Sequence, residues 1–346
     1  MMLLNTFVKS SNAQEWIKAF VPETSTVAST PSSVVASAGG MRLLKFEPLG
    51  MVRRAALWII PSFINDYFIL DLLPENSWIR HLCEQGHTVY VLDWGEPQNC
   101  EKHLTIESFY TLYLDYFLKV ILLQQPQPIH LVGHCLGGTL ALIAAQLYRE
   151  SILSLTLLTA PIDFSQREHR LHQWAQYSTL STDLMREAED DISWVLLQSS
   201  FLLLKPEQIF SKLKLGLSTL QNLHSKRSLR FWALESWSSQ NRNMRSQFYY
   251  FLIEKLYRQN CLVKGNLSIR GQKISLRSHS HPVFVVKASE DHIVDSTSHL
   301  QKNQLNETVQ FAELESIGGH IGALIGTHGR QELWPHLDYW LRQYES

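Results

Sequence analysis

The sequence predicts an α/β fold built on a mostly parallel sheet. Three observations carry this reading. Short continuous apolar runs recur along the chain, amphipathic helical stretches separate them, and one run passes through a Gly-rich turn directly into a helix. Continuous apolar runs suit strands buried on both faces of a parallel sheet. Strands alternating with helices then imply right-handed crossovers between neighbours.

The elements follow in order. Residues 15–20 can form one short helix, and residues 24–40, rich in Ser, Thr, Ala and Gly, read as a flexible linker. Residues 1–40 are thus expected to be an N-terminal segment, and residues 41–346 the globular domain. Apolar runs at 55–60, 89–92, 128–132 and 153–159 are the first four expected strands, with helical spacing at 78–84, 106–123 and 140–149 between them. The alternation then stops. Between Asp163 and Lys264 the only Gly is Gly216 and the only Pro is Pro206, and helical spacing appears at 194–204 and 246–258. A stretch of that length is too long for a plain loop, so a largely helical cap insertion is expected at about 163–275. Runs at 282–287 and 309–314 restore the strand pattern, and an amphipathic helix at 331–342 closes the chain.

Composition excludes several function classes. A chain of 346 residues with 45% apolar and 18% charged residues is that of an ordinary globular protein. A formal net charge of −1 gives no reason to expect nucleic acid or an anionic membrane as partner. Cys83, Cys100, Cys135 and Cys261 are widely spaced and form no C-x-x-C pair, which argues against a disulfide framework or a zinc site and for a reducing compartment. No metal is expected. No apolar segment reaches the roughly 18 residues that span a bilayer, and the apolar run at the N-terminus is too short for a signal peptide. The expectation is a cytoplasmic protein.

The chemistry centres on Gly133-His134-Cys135-Leu136-Gly137-Gly138. An apolar strand, a reactive side chain flanked by small residues and a following helix make a nucleophile elbow. A lone cysteine is ordinarily a small buried hydrophobe; the elbow sets Cys135 apart from the other three. Its thiol needs a base, and the base needs an orienting group. In α/β-hydrolase folds these follow in the order nucleophile, acid, His, each on a loop after a strand. Asp291 follows the expected strand at 282–287, with Glu290 as competing acid, and His320 follows the next strand within Gly318-Gly-His-Ile-Gly322. The N–H of Leu136 and that of Ile64, in the loop Pro61-Ser-Phe-Ile-Asn65, are the expected oxyanion donors. His292 and His134 are accessory candidates. A sulfur nucleophile also bears on the reaction. Acyl-Cys is a thioester, close in energy to an acyl-CoA, so it conserves the activation that an acyl-Ser ester would lose. This favours acyl transfer over hydrolysis.

At this point the residues resemble the poly(3-hydroxyalkanoate) synthases. The anchors are Pro61-Ser-Phe-Ile-Asn65, Ile69-Leu-Asp-Leu72, Gly86-His-Thr-Val-Tyr-Val-Leu-Asp-Trp-Gly95, Gly133-His-Cys-Leu-Gly-Gly-Thr139, Leu158-Thr-Ala-Pro-Ile-Asp-Phe164, Asp291-His-Ile-Val294 and Gly318-Gly-His-Ile-Gly322. The resemblance runs from about residue 55 to 340. It implies an α/β-hydrolase fold whose cap acts as a lid and takes part in dimerisation. It also implies polymerisation of (R)-3-hydroxyacyl-CoA into polyester with release of CoA, with Cys135 as nucleophile, Asp291 as acid and His320 as base. No cofactor is implied, since CoA is part of the substrate. The chain looks like the short catalytic subunit of the two-subunit synthases, which implies a second, helical subunit, a homodimer and work at the surface of polyester granules. It departs from the family at Asp295, where Pro is usual, and at His134, where Tyr or Ile is more common. The competing readings are a cysteine-dependent thioesterase or polyester hydrolase, and a non-catalytic granule-associated scaffold.

Overall fold

The computed structural model describes residues 28–50, 55–101, 103–166, 170–177, 225–239 and 242–345, with scattered positions (182, 191–194, 197, 214–216, 218, 219 and 222) between them. Its frame is an eight-stranded sheet. The strands are β1 (Ser33–Ala38), β2 (Met41–Phe46), β3 (Leu57–Ile60), β4 (Val89–Asp93), β5 (Ile129–His134), β6 (Ile152–Leu158), β9 (Val283–Ala288) and β10 (Phe311–Ser316). They run in the order β1-β2-β4-β3-β5-β6-β9-β10, and every pair from β4 to β10 is parallel. Only the β1–β2 and β2–β4 pairs are antiparallel.

The apolar runs behave as their pattern predicts. Along β3, Leu57 and Ile59 face one core while Trp58 and Ile60 face the other; along β4, Val89 and Val91 part in the same way from Tyr90 and Leu92. One core lies under α2, which runs from Ile106–Ser108 through a π-helical stretch, Phe109–Leu114, into Asp115–Gln124, and under α3 (Leu136–Leu147). The opposite core lies under α1 (Trp78–Glu84) and α8 (Trp334–Arg342). Burying both faces is what obliges each strand to be apolar throughout.

One expectation needs correction. Residues 33–38, expected to belong to a flexible linker, are a strand. Ala38 pairs with Met41 across Gly39-Gly40, and Gly39 takes φ +58°, a left-handed conformation natural to glycine. Small residues read as linker from composition, yet Ala36 is buried against the sheet. The short helix expected at 15–20 lies outside the described residues.

β6 and β9 are sheet neighbours, so residues 159–282 form one long excursion between them. Described within it are α4 (Arg170–Tyr177), α5 (Lys226–Ser239), α6 (Ser246–Tyr250, continuing as the π-helical Phe251–Arg258) and a hairpin of β7 (Leu267–Ile269) and β8 (Gln272–Ile274). Most of the expected helix at 194–204 lies outside the described residues. α7 (Gly322–Ile325) follows β10. No helix among the described residues is long and apolar enough to cross a membrane.

Candidate active site

β5 delivers Cys135 to the end of the sheet in a conformation that a side chain rarely takes, φ 53° and ψ −129°. Strain of this kind costs on the order of 1–3 kcal/mol and persists only where the surroundings hold it. Here they do. The Cys135 N–H donates to the Leu158 carbonyl at 2.9 Å, and its own carbonyl accepts from Gly138 N–H at 2.8 Å. The flanking glycines are required by contact. A Cβ on Gly133 would stand 2.3 Å from Gly138 Cα, and one on Gly137 would stand 2.1 Å from the Ile60 carbonyl oxygen. Strand, turn and helix therefore pack backbone on backbone, with the sulfur at the apex.

Asp291 and His320 reach the same place from two neighbouring loops. β9 and β10 run in parallel register to Ala288 and Ser316, and their loops stay joined beyond the sheet through Ser289 N–H to Ser316 O and Glu290 N–H to Gly318 O. Gly318 adopts φ +128° there. His320 Nδ1 lies 2.7 Å from Asp291 Oδ2, while Asp291 Oδ1 accepts the N–H groups of Ile293 and Val294 at 2.9 and 3.0 Å. Burial pushes the Asp291 carboxyl up, but the His320 bond and these two N–H groups outweigh it, and the net shift is downward. Glu290, the competing acid, is exposed and takes no part in this bond.

The His320 ring also lies close enough to the Cys135 sulfur for the two to interact electrostatically. Burial works against its protonation, yet the charge on that sulfur and the Asp291 bond raise it to about 10. His134, last residue of β5, lies with its ring 5.8 Å from that of His320. It is buried, with Nε2 unpartnered, and burial followed by the charge of His320 lowers it to about 3. This imidazole is neutral. His292 stands half-buried beside Asp291. Asp295, where a Pro was expected, caps the short turn Ser296–Ser298 by accepting Thr297 N–H at 2.9 Å.

Of the expected oxyanion donors, Leu136 follows Cys135 directly, and Ile64 lies in the loop whose start, Pro61, packs against Gly137. Leu136 occupies the first position of α3, where an N–H has no carbonyl to meet within the helix. Ile64 N–H lies 3.3 Å from Ser62 Oγ, long for a hydrogen bond. Sequence reasoning missed Tyr257. It stacks edge-on with Phe164, ring centres 4.9 Å apart, and burial followed by the Cys135 charge keeps its phenol protonated. It lies on the π-helical turn of α6, and neither spacing nor neighbours marked it in the sequence. Among the described residues no cluster of His, Cys, Asp and Glu is arranged to hold a metal ion.

Comparison with known proteins adds the family. Residues 66–326 match the family described as alpha/beta hydrolase fold, and residues 16–82 match the N-terminus of poly-beta-hydroxybutyrate polymerase. The poly(3-hydroxyalkanoate) polymerase subunit PhaC of Haloferax mediterranei is 28% identical over 320 residues, 92% of this chain and 65% of that protein. The chain belongs to the α/β-hydrolase fold family, and the relatives it is similar to along most of its length are poly(3-hydroxyalkanoate) polymerases. The PhaC subunit of Synechocystis is 27% identical, with 92% of this chain and 85% of that protein covered. The chain spans just under two thirds of the Haloferax protein. Among solved structures, an alpha/beta hydrolase fold protein from Chitinophaga pinensis superposes with a TM-score of 0.51 at 17% identity, covering 92% of this chain and 99% of that one. That likeness supports the fold alone.

Proposed function

We propose that the protein polymerises (R)-3-hydroxyacyl-CoA into polyester, releasing CoA through a covalent acyl-Cys135 thioester. The observation that carries this is a cysteine at the elbow, in place of a hydroxyl, within electrostatic reach of a buried Asp291–His320 pair. His320 takes the thiol proton, and the sulfur attacks the CoA thioester carbonyl. The N–H groups of Leu136 and of the Pro61–Asn65 loop hold the oxyanion. Collapse expels the CoA thiolate, which receives the proton from His320. A 3-hydroxyl of another unit then gives its proton to His320 and attacks the acyl-Cys carbonyl. An ester forms and Cys135 is freed. Asp291 orients His320 and stabilises its cation throughout.

The relatives from Haloferax and Synechocystis, both poly(3-hydroxyalkanoate) polymerase subunits, point the same way. The reading extends to a second helical subunit, a homodimer, and action on granule surfaces in the cytoplasm. The test is purified protein with (R)-3-hydroxybutyryl-CoA. CoA release should accompany insoluble polyester, and Cys135→Ala should abolish both. CoA release with only free hydroxyacid would make the protein a thioesterase instead.

A further inference from the structure

The loop Pro61–Asn65 is short, and an oxyanion donor works only if its N–H stands at the right height over the nucleophile. On the inner side its start is fixed by the elbow, since Gly137 lies against the carbonyls of Ile60 and Pro61. On the outer side the loop is gripped by residues of the excursion between β6 and β9. Asp66, the next residue, receives Arg242 Nε at 2.6 Å on its carboxylate and Trp237 Nε1 at 2.8 Å on its backbone carbonyl. The Arg242 guanidinium also lies 3.7 Å from Asp93, the last residue of β4, and 3.6 Å from Glu96 in the loop after it. One arginine thus ties the loop after β3 to the loop after β4. Phe248 adds an apolar contact, its ring edge-on to Phe63 at 5.4 Å and to Trp94 at 5.8 Å. Trp94 in turn donates to the Pro61 carbonyl at 3.1 Å.

We propose that Arg242 and Trp237 are positioning residues for acyl transfer, which clamp Asp66 and so hold the oxyanion loop at its working height over Cys135. This rests on the reading of the Ile64 loop as an oxyanion donor. Asp66 and Arg242 are largely withdrawn from solvent, so their pairing is screened less than a surface pair. Arg242 contributes a two-pronged grip that a neutral side chain of similar size lacks. A shift of about 1 Å in such a loop is worth up to roughly 100-fold in rate.

The test compares Arg242→Gln, Arg242→Lys and Trp237→Phe in CoA release from (R)-3-hydroxybutyryl-CoA, and in alkylation of Cys135 by iodoacetamide. Alkylation develops no oxyanion, so it reports the thiol without the loop. Arg242→Gln should lower kcat by about 10- to 100-fold, with KM within about threefold and the alkylation rate unchanged. Arg242→Lys should recover part of the loss. A wild-type kcat in Arg242→Gln overturns the proposal, and so does an equal fall in alkylation, which would mean general damage to the elbow. Should Arg242→Gln fail to fold, Trp237→Phe decides: it removes one donor and keeps a ring, and a wild-type kcat overturns the clamp. Cys135→Ala separates the two levels. If it still releases CoA, the catalytic reading itself fails; if it is inactive while both clamp variants are wild type, only the clamp fails.

Discussion

His320 is held between the Cys135 sulfur and the Asp291 carboxylate inside a buried site, and its charge state follows from that. Burial alone would keep the imidazole neutral; the sulfur of Cys135 and the Asp291 carboxylate reverse the balance and raise it to about 10. Because the folded value lies above the ordinary histidine value, the protonated form stabilises the fold. That contribution is fully present below about pH 6.5, the unfolded value, and is lost as pH rises through about 10. Cys135→Ala removes the larger of the two upward influences. Its His320 should therefore titrate at lower pH than in wild type, followed by the ring proton resonances, and its urea midpoint should fall less between pH 7 and 10. An unchanged His320 titration would mean that the sulfur does not carry the charge. His134 shows the opposite case. With no carboxylate in hydrogen-bond contact, burial wins and the ring stays neutral beside a charged one. The sequence singled out His134 as a departure, but nothing in it could say that the ring would lie against His320, since that contact joins β5 to the loop after β10.

At the level of elements, the elbow was the most legible part of the chain because its constraint is local. Gly133, Gly137 and Gly138 are spaced by the geometry of one turn; a Cβ on the first two would meet backbone, and one on Gly138 would meet the Ala160 methyl. Gly137→Ala makes the point testable. The added methyl would sit 2.1 Å from Ile60 O and 2.4 Å from Pro61 O, neither of which can rotate away. Overpacking of this kind costs about 1–3 kcal/mol or more. The variant should unfold at lower urea by a corresponding margin, and its kcat should fall even under conditions where it is fully folded, because the displaced backbone is the oxyanion loop. Wild-type kcat with wild-type stability would show that α3 can retreat from β3. The β1–β2 hairpin was illegible for the complementary reason. Its strand Ser33–Ala38 carries small and polar residues, and only the pairing with β2, itself joined to β4, makes a strand of it.

Across the whole molecule, the placing of Cys135, Asp291 and His320 at one end of the sheet could be read from sequence because each follows a strand whose place in the sheet is fixed by apolar pattern. The excursion between β6 and β9 could not be read in the same way, since helical spacing says nothing about which residues turn toward Cys135. The structure supplies a physical link at its root. Asn260 adopts φ 49°, accepts the Phe164 N–H at 3.2 Å and donates to Asp163 Oδ1 at 2.9 Å. It thereby joins the first residues that leave the sheet after β6 to the end of α6. Asp163 and Ile162 are fixed in turn, both N–H groups donating to Ser298 O at 2.8 and 2.7 Å. Tyr257 lies one turn before Asn260, so this clamp also bears on where its ring meets Phe164. Asn260→Ala deletes both side-chain bonds and leaves a residue that tolerates a left-handed backbone poorly. It should cost about 2–3 kcal/mol in urea unfolding and open the excursion to limited proteolysis while the sheet stays protected. Asn260→Gly, which relieves the backbone strain but not the lost bonds, should be intermediate in stability. Equal stability of the two variants would assign the whole effect to the hydrogen bonds. Wild-type protease resistance in both would show that the root of the excursion is held elsewhere.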